Sequence, residues 1–113
     1  MATYLLTWNP KRSDWDDIGE MSDTVQNGGT AETGWSCSKS KSIKTGDRVF
    51  FIRLGIPPKG IFASGNVTRG SYEQLHWEAE RAEEGETCWF VDVRFDRLLD
   101  PDHDEILPRE ALG

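Results

Sequence analysis

Two tryptophans stand beside small polar residues, in a pattern that suits a pocket for a flat ring. Trp8 ends an apolar run and is followed by Asn9, and Trp35 lies next to Ser36 in a Gly- and Ser-rich stretch. An indole offers a face for stacking, and an amide offers both a donor and an acceptor to the edge of a heterocycle. These residue types therefore favour a pocket for a heterocycle such as a nucleobase turned out of its stack.

Each of these residues also has an ordinary structural interpretation. Trp8 fits core packing equally well, and Asn9 fits a turn before Pro10. Ser36 fits the cap of a local turn. Trp35, in a polar segment, is better explained as a pocket wall.

Two further candidates lie on successive apolar segments. Arg53 follows a run of large apolar residues, and it either reaches a ligand phosphate or lies on a solvated face. Ser64 stands between Ala63 and Gly65, where small side chains allow a ligand or another strand to approach closely. We assign both residues to the candidate pocket.

The charge of the chain disfavours non-specific binding to nucleic acid. Its 13 Lys and Arg against 20 Asp and Glu give a net charge of −7, whereas phosphate contacts supply most non-specific affinity. The segment 39–53 is nevertheless basic. Plain surface charge is one interpretation of its cations, and phosphate contact is the other. The candidates for phosphate contact are Lys39, Lys41, Lys44 and Arg69.

No arrangement of residues supports catalysis or a metal. Cys37 and Cys88 are far apart in sequence and are expected to be reduced thiols, and His76 and His103 have no ligand neighbours at metal-binding spacing. The carboxylates at 14–17 are expected to complement the start of a helix. We therefore predict no enzyme activity, no metal and no cofactor.

The pattern along the chain predicts a small α+β domain. Its 113 residues fit one domain, 1–113, and no apolar run approaches the ~20 residues of a membrane span. With no charged region at the first residues, we expect a cytoplasmic protein without a membrane partner. Apolar and alternating runs predict strands at 3–8, 48–54, 60–68 and 87–99, the second and third forming a hairpin.

The helices and loops complete this prediction. A helix is expected to begin at Ser13 and to end at Gly28-Gly29, and another to begin at Pro108. Residues 28–42 are predicted to be a loop, and 69–86 to be irregular. Consecutive strands of this kind imply a mixed or antiparallel sheet that curls into a small barrel, with the helices packed outside.

Several segments, in this order, resemble an EVE domain of the PUA-like superfamily. They are residues 4–10, 15–18, 44–51, 57–67, 91–95 and 107–112. The sequences Thr-Trp-Asn-Pro at 7–10 and Gly-Trp-Ser-Cys at 34–37 are most similar to those of the N-terminal modules of EVE–HNH modification-dependent restriction endonucleases. Since the resembled domains continue past the last helix with another strand segment, we expect a domain abbreviated at its C-terminal end.

The resemblance implies a DNA-binding module that reads 5-methyl- or 5-hydroxymethylcytosine by flipping the base into an aromatic pocket. A separate HNH nuclease domain, fused or partnered, would cut the DNA. The residues expected to line the pocket are Trp8, Asn9, Trp35, Ser36, Arg53 and Ser64. A reader of modified RNA, as in related PUA-like and YTH domains, is one alternative, and a small-ligand or protein interaction module is the other.

Overall fold

The computed structural model describes residues 2–11, 15–38, 42–56, 59–101, 104 and 107–108. Within them the chain forms six strands and two helices. In chain order these are β1 Thr3–Trp8, α1 Ile18–Gln26, β2 Glu32–Ser38, β3 Arg48–Arg53, β4 Gly60–Leu75, α2 Ala79–Glu83, β5 Thr87–Leu98 and β6 Leu107–Pro108. Neither α1 nor α2 has the length and apolar character that a membrane-spanning helix needs.

One mixed sheet carries the whole fold. Its strand order is β1-β3-β4-β5-β2, with β6 added beside β4, and only the β1–β3 pairing is parallel. Strands β1 and β2 end this order, yet Trp35 Nε1 on β2 donates to the Thr7 carbonyl on β1 at 3.1 Å. The two ends of the sheet therefore meet, which confirms the predicted curled, α+β architecture.

Alternation along the strands places the core on the inner face of the curl. On β3, Val49 and Phe51 are fully buried while Arg48 and Phe50 are half-buried. Successive side chains of a strand point to opposite faces, so this pattern defines an inner and an outer face. Strand β5 repeats the pattern with Val91, Val93 and Phe95 buried.

Irregular pairing accompanies the curl of the long strand β4. Phe51 pairs with Ala63 while the next residue, Ile52, pairs with Ile61, which leaves Phe62 as an extra residue. Bulges of this kind bend a strand and strengthen its twist. Further register shifts between β4 and β5 let one strand of 16 residues follow the curved sheet.

Helix α1 is fixed to the end of β5 by a buried hydroxyl. Ile18 and Ser22 are its buried residues, and Ser22 Oγ donates to the Leu98 carbonyl at 3.0 Å. Gln26 Nε2 donates to both Ser22 Oγ (2.6 Å) and Asp104 Oδ2 (3.1 Å). The predicted start at Ser13 lies outside the described residues, and the helix begins at Ile18.

Two loop predictions are wrong. Residues 32–38 of the predicted loop form β2, and the predicted irregular segment instead continues β4 to Leu75 and then forms α2. Strand β2 has a polar sequence because only part of it packs on the core, and Gly34 lies where Tyr72 and Asp92 approach its backbone. Its pairing with β5, rather than its hydrophobicity, makes it a strand.

The C-terminal prediction is partly outside the description. Pro108 does not open a helix, because Leu107 and Pro108 pair with Ile61 and Gly60 of β4. Residues 109–112 lie outside the described residues.

A buried carboxylate joins the beginning of β1 to the beginning of β3. Asp47 Oδ1 accepts from the Ala2 amide at 3.1 Å, and Oδ2 accepts from the Lys44 amide at 2.9 Å. These backbone hydrogen bonds, first that of Lys44 and then that of Ala2, hold the pKa of Asp47 below its ordinary value. Because both amide hydrogen bonds stabilise the ionised carboxylate of Asp47, its ionisation is linked to folding.

We expect Asp47→Asn to lower the free energy of unfolding at pH 7 and to flatten its acid dependence. The folded pKa lies below the unfolded value of about 3.9, so the stabilisation is present above that value and is lost as pH falls through the folded pKa. Urea unfolding between pH 7 and pH 2.5 measures both effects. Asp23→Asn, at an exposed position of α1, is the control. If the free energy of unfolding of the wild type and of Asp47→Asn changed in parallel with pH, the linkage would be contradicted.

Candidate nucleic-acid interface

The ends of the parallel strands β1 and β3 bring two predicted pocket residues together. Trp8 and Arg53 are register partners, and Arg53 Cζ lies 5.5 Å from the centroid of the Trp8 ring. Both are buried, with exposed fractions of 6% and 3%. The guanidinium is thus held against an indole by a cation–π contact, and the solvated-face interpretation of Arg53 is wrong.

Asn9 continues this corner as a turn residue. Its Oδ1 accepts from the Lys11 amide at 3.0 Å, which is the hydrogen bond of an Asx turn. The turn after β3 packs against the same amide, since a Cβ at Gly55 would overlap Asn9 Oδ1. Among the described residues nothing accepts a hydrogen bond from Asn9 Nδ2, so this nitrogen remains able to donate to a ligand. We call Trp8, Asn9, Arg53 and Gly55 the β1–β3 corner.

Trp15 occupies the space between the two tryptophans that the sequence places in a pocket. Its ring centroid lies 5.5 Å from that of Trp8 and 4.9 Å from that of Trp35. It is itself buried, with an exposed fraction of 9%. Trp8 and Trp35 therefore do not face each other across an open gap.

The Trp15 ring also joins the strands to one another. It contacts one aromatic ring from each of the five longer strands, with centroid separations between 4.9 and 6.1 Å. These rings are Trp8, Trp35, Phe51, Phe62 and Phe95. We call this group with Trp15 the aromatic hub.

Trp35 is the member of the hub that remains half-buried. Its ring packs on Trp15 and lies 5.4 Å from the Phe51 centroid, and its indole N–H is bonded to the Thr7 carbonyl. The ring thus combines a fixed orientation with an accessible part. The hydrogen bond to Thr7 places this ring where β2 meets the end of β1.

Ser36 belongs to a different group. It follows Trp35 on β2, so its side chain points to the other face of the strand, and its Oγ lies 3.5 Å from Cys88 Sγ on β5. Neighbouring Cys37 is the extra residue of a bulge between Ser36 and Ser38, and burial raises the pKa of its thiol. Cys37 and Cys88 are free thiols, which confirms the prediction for both cysteines.

Ser64 is a correction to the predicted pocket. It pairs with Phe50, whose side chain is on the outer face, and its Oγ donates to Asp96 Oδ1 at 2.6 Å. Arg48 contacts the other oxygen of the same carboxylate. Burial raises the pKa of Asp96, but hydrogen bonds from Arg48 and Ser64 outweigh it and keep the pKa low. Ser64 therefore belongs to a polar cluster on the outer face of the sheet and not to the β1–β3 corner.

The structure places the backbones of two of the four phosphate candidates near each other. Lys44 is exposed, and its segment runs against Gly70, where the Ser71 amide donates to the Ile43 carbonyl at 2.9 Å. Arg69, next to Gly70, is exposed and lies with Cζ 3.9 Å from the Tyr72 ring centroid. Lys39 and Lys41 lie outside the described residues.

Tyr72 is held as a neutral phenol beneath Arg69. Its Oη donates to Asp92 Oδ1 at 2.5 Å, and its ring stacks on Phe90 at 6.1 Å. Burial, followed by the hydrogen bond to Asp92, raises the pKa of Tyr72 to about 12. Tyr72 therefore stays un-ionised at neutral pH and supports the arginine with its ring.

Sequence reasoning missed the part that Gly55 plays in the corner. Its φ of +83° and its contact with Asn9 both require a residue without a side chain. A glycine directly after a predicted strand was the available signal. Within the described ranges, no group of three His, Cys, Asp or Glu side chains is arranged to hold a metal ion.

We expect Gly55→Ala to destabilise the fold by more than Gly46→Ala. Both glycines have positive φ, so both variants incur a backbone cost of roughly 1–2 kcal/mol, but only Gly55 has Asn9 in the way of a Cβ. Urea unfolding of the two variants separates these effects. Equal losses of stability would show that Asn9 moves aside freely and that the corner is not rigid.

Comparison with known proteins supports the fold and not a family. No protein-family model matches the chain, and no curated protein matches its sequence significantly. A hypothetical protein from Leishmania major superposes with a TM-score of 0.67 at 20% identity. The match covers 99% of this chain and 73% of that protein. A protein from Pseudomonas syringae gives a TM-score of 0.63 at 18% identity, and this match covers 96% of this chain and 75% of that protein.

A third similar structure is that of human THYN1 in complex with DNA containing 5-methylcytosine. Its TM-score is 0.58 at 16% identity, and the match covers 99% of this chain and 73% of that protein. Such low identities establish a shared fold. The chain therefore shares its curled α+β fold with these proteins.

Proposed function

We propose that this chain is a DNA-binding reader of modified cytosine, which holds a 5-methyl- or 5-hydroxymethylcytosine turned out of the duplex and performs no catalysis itself. The observation that carries the proposal is the β1–β3 corner beside the half-buried Trp35, in a fold shared with a human protein whose structure contains 5-methylcytosine DNA. Trp35 supplies an aromatic surface beside the corner, and the corner itself supplies the Asn9 amide and a fixed cation.

Each part of the corner has a role in this proposal. The accessible part of the Trp35 ring stacks the base, because Trp15 already covers the side toward Trp8. Asn9 Nδ2 donates to an acceptor on the base edge, while Oδ1 stays bonded to Lys11. Arg53 is a positioning residue: its contact with the Trp8 ring fixes the last residues of β1 and β3.

Selectivity has a physical limit in such a site. Stacking contributes roughly 1–3 kcal/mol for any base, so it does not distinguish modified from ordinary cytosine. One buried methyl adds only about 0.8 kcal/mol. Preference for 5-methylcytosine by burial alone is therefore modest, and a larger preference for 5-hydroxymethylcytosine requires a hydrogen bond to its hydroxyl.

The proposal extends to the partner of the module. We propose that the reader directs a separate nuclease domain of the HNH type to the DNA. This proposal is based on the sequence of this chain at 7–10 and 34–37. Contact with phosphates is assigned to Lys44 and Arg69, which are both exposed and whose backbones lie near each other, and to Lys39 and Lys41, which precede Lys44 in the sequence.

Titration with matched duplexes tests the proposal directly. We expect a duplex with one 5-methylcytosine to bind about four-fold more tightly than its unmodified twin, which is the ratio that one buried methyl provides. A third duplex carries 5-hydroxymethylcytosine, and a single-stranded RNA of the same sequence is the competitor. Equal, weak binding of all three duplexes contradicts the proposal, and stronger binding of the RNA would favour the RNA-reader alternative.

We expect Trp35→Ala to weaken binding of the modified duplex by about ten-fold, the loss of roughly 1.4 kcal/mol of stacking. Trp77→Ala is the matched control, because Trp77 is an exposed tryptophan on the connection between β4 and β5. Circular dichroism shows whether both variants remain folded. If both variants bind the duplex as the wild type does, Trp35 is not the stacking surface.

We expect Lys44→Gln and Arg69→Gln each to weaken binding of modified and unmodified duplexes equally. Each loss of a phosphate contact also lowers the slope of log K against log salt by about 1. Arg81→Gln is the control, since Arg81 is 3.7 Å from both Glu78 and Glu86 and is neutralised by them. A salt slope that is unchanged in both variants would place the phosphates elsewhere.

A further inference from the structure

The end of the β4–β5 pair and the connection between these strands form an acidic segment, which we call the acidic tip and define as residues 73–87. Here β4 pairs with β5 through Gln74–Cys88 and Leu75–Thr87, and α2 closes the connection. None of the residues of α2 is buried. The tip therefore contributes little to the core, and its composition is not explained by the needs of folding.

Two large apolar side chains are exposed at this tip. Leu75 is 59% exposed and Trp77 is 38% exposed. Both leave apolar area in contact with water, and burying that area against a partner would contribute free energy.

Trp77 is also held in place. The His76 ring stacks on it with a centroid distance of 5.4 Å and an interplanar angle of 28°. His76 in turn is fixed, because its Nδ1 accepts from the Glu78 amide at 3.0 Å and its own amide donates to the Glu86 carbonyl at 2.9 Å. An aromatic ring that is ordered before binding loses less entropy when a partner covers it.

The charge of the tip selects the class of partner. Residues 73–87 contain six glutamates and one arginine, so they carry −5 of the net charge of −7. Nucleic acid and anionic membranes would be repelled. A protein segment that combines Lys or Arg with apolar side chains would find both complementary charge and exposed apolar surface within residues 73–87.

We infer that the acidic tip is a docking site for a basic, apolar segment of a partner protein. Leu75 and Trp77 provide the apolar contact, and the surrounding glutamates provide orientation and a faster encounter. This inference does not depend on DNA binding, because the tip lies outside the β1–β3 corner.

Titration of the full chain with two synthetic peptides tests the inference. One is an 18-residue amphipathic peptide of Leu and Lys, and the other is an oligolysine of equal charge. Amide chemical shifts locate the binding surface. We expect shifts concentrated in residues 73–89 with the Leu/Lys peptide, and binding of the oligolysine that is about ten-fold weaker, because it lacks the apolar contact.

Matched variants decide whether the apolar residues or the charges alone are responsible. We expect Leu75→Ser with Trp77→Ser to weaken the Leu/Lys peptide about ten-fold and to leave the oligolysine unchanged. We expect Glu80→Gln with Glu83→Gln and Glu84→Gln to weaken both peptides. Asp17→Asn with Glu20→Gln and Asp23→Asn removes three charges around α1 and is the control, which should bind like the wild type. Equal binding of the two peptides, shifts spread to α1, or no binding would each overturn the inference.

Discussion

The packing of Trp15 is the interaction on which the rest of the molecule depends. It lies in the connection between β1 and α1, outside any strand, yet its ring meets one aromatic ring from each of the five longer strands. Aromatic pairs at such separations contribute about 0.5–1.5 kcal/mol each beyond the burial of their area. An open sheet of this order has two unpaired edges, and a ring that contacts both end strands holds them together.

The closure of the sheet determines where a ligand surface can exist. Because Trp15 fills the space between Trp8 and Trp35, the interior between these rings is core and not a cavity. What remains accessible is the rim, where the indole of Trp35 is bonded to Thr7 and the strands β1 and β3 end. The same contact that stabilises the barrel therefore sets the orientation of Trp35. Core and candidate interface share side chains here, so a change in either affects the other.

The sequence predicted those parts of the fold that have strong local patterns. The alternation in β3 and β5 and the apolar run of β1 were sufficient for their strands, and the hairpin of β3 and β4 followed from a short connection. Strand β2 was missed because its residues are polar and its stability comes from pairing with β5, a partner more than fifty residues away. Long-range pairing of this kind leaves little local signal.

The same limit applies to the candidate site. Trp8 and Arg53 were identified separately. Their contact arises because they are register partners in a parallel pair of strands that about forty residues separate in the chain. Ser64 was assigned to the pocket from its small neighbours, although the face to which it points depends on the bulge at Phe62. A bulge reverses the faces of the residues that follow it, and side-chain size alone does not reveal it.

The acidic composition of the chain is compatible with the proposed binding to DNA because the charge is segregated. Residues 73–87 carry −5, which leaves only −2 for the rest of the chain. Glu73, the first glutamate of the tip, is four residues from Arg69, or about 13 Å along an extended strand. Exposed charges are largely screened beyond about 8 Å at physiological salt. A phosphate beside Lys44 and Arg69 would therefore experience these nearby cations more strongly than the glutamates of the tip. Net charge describes the chain, whereas local charge determines what each surface can bind.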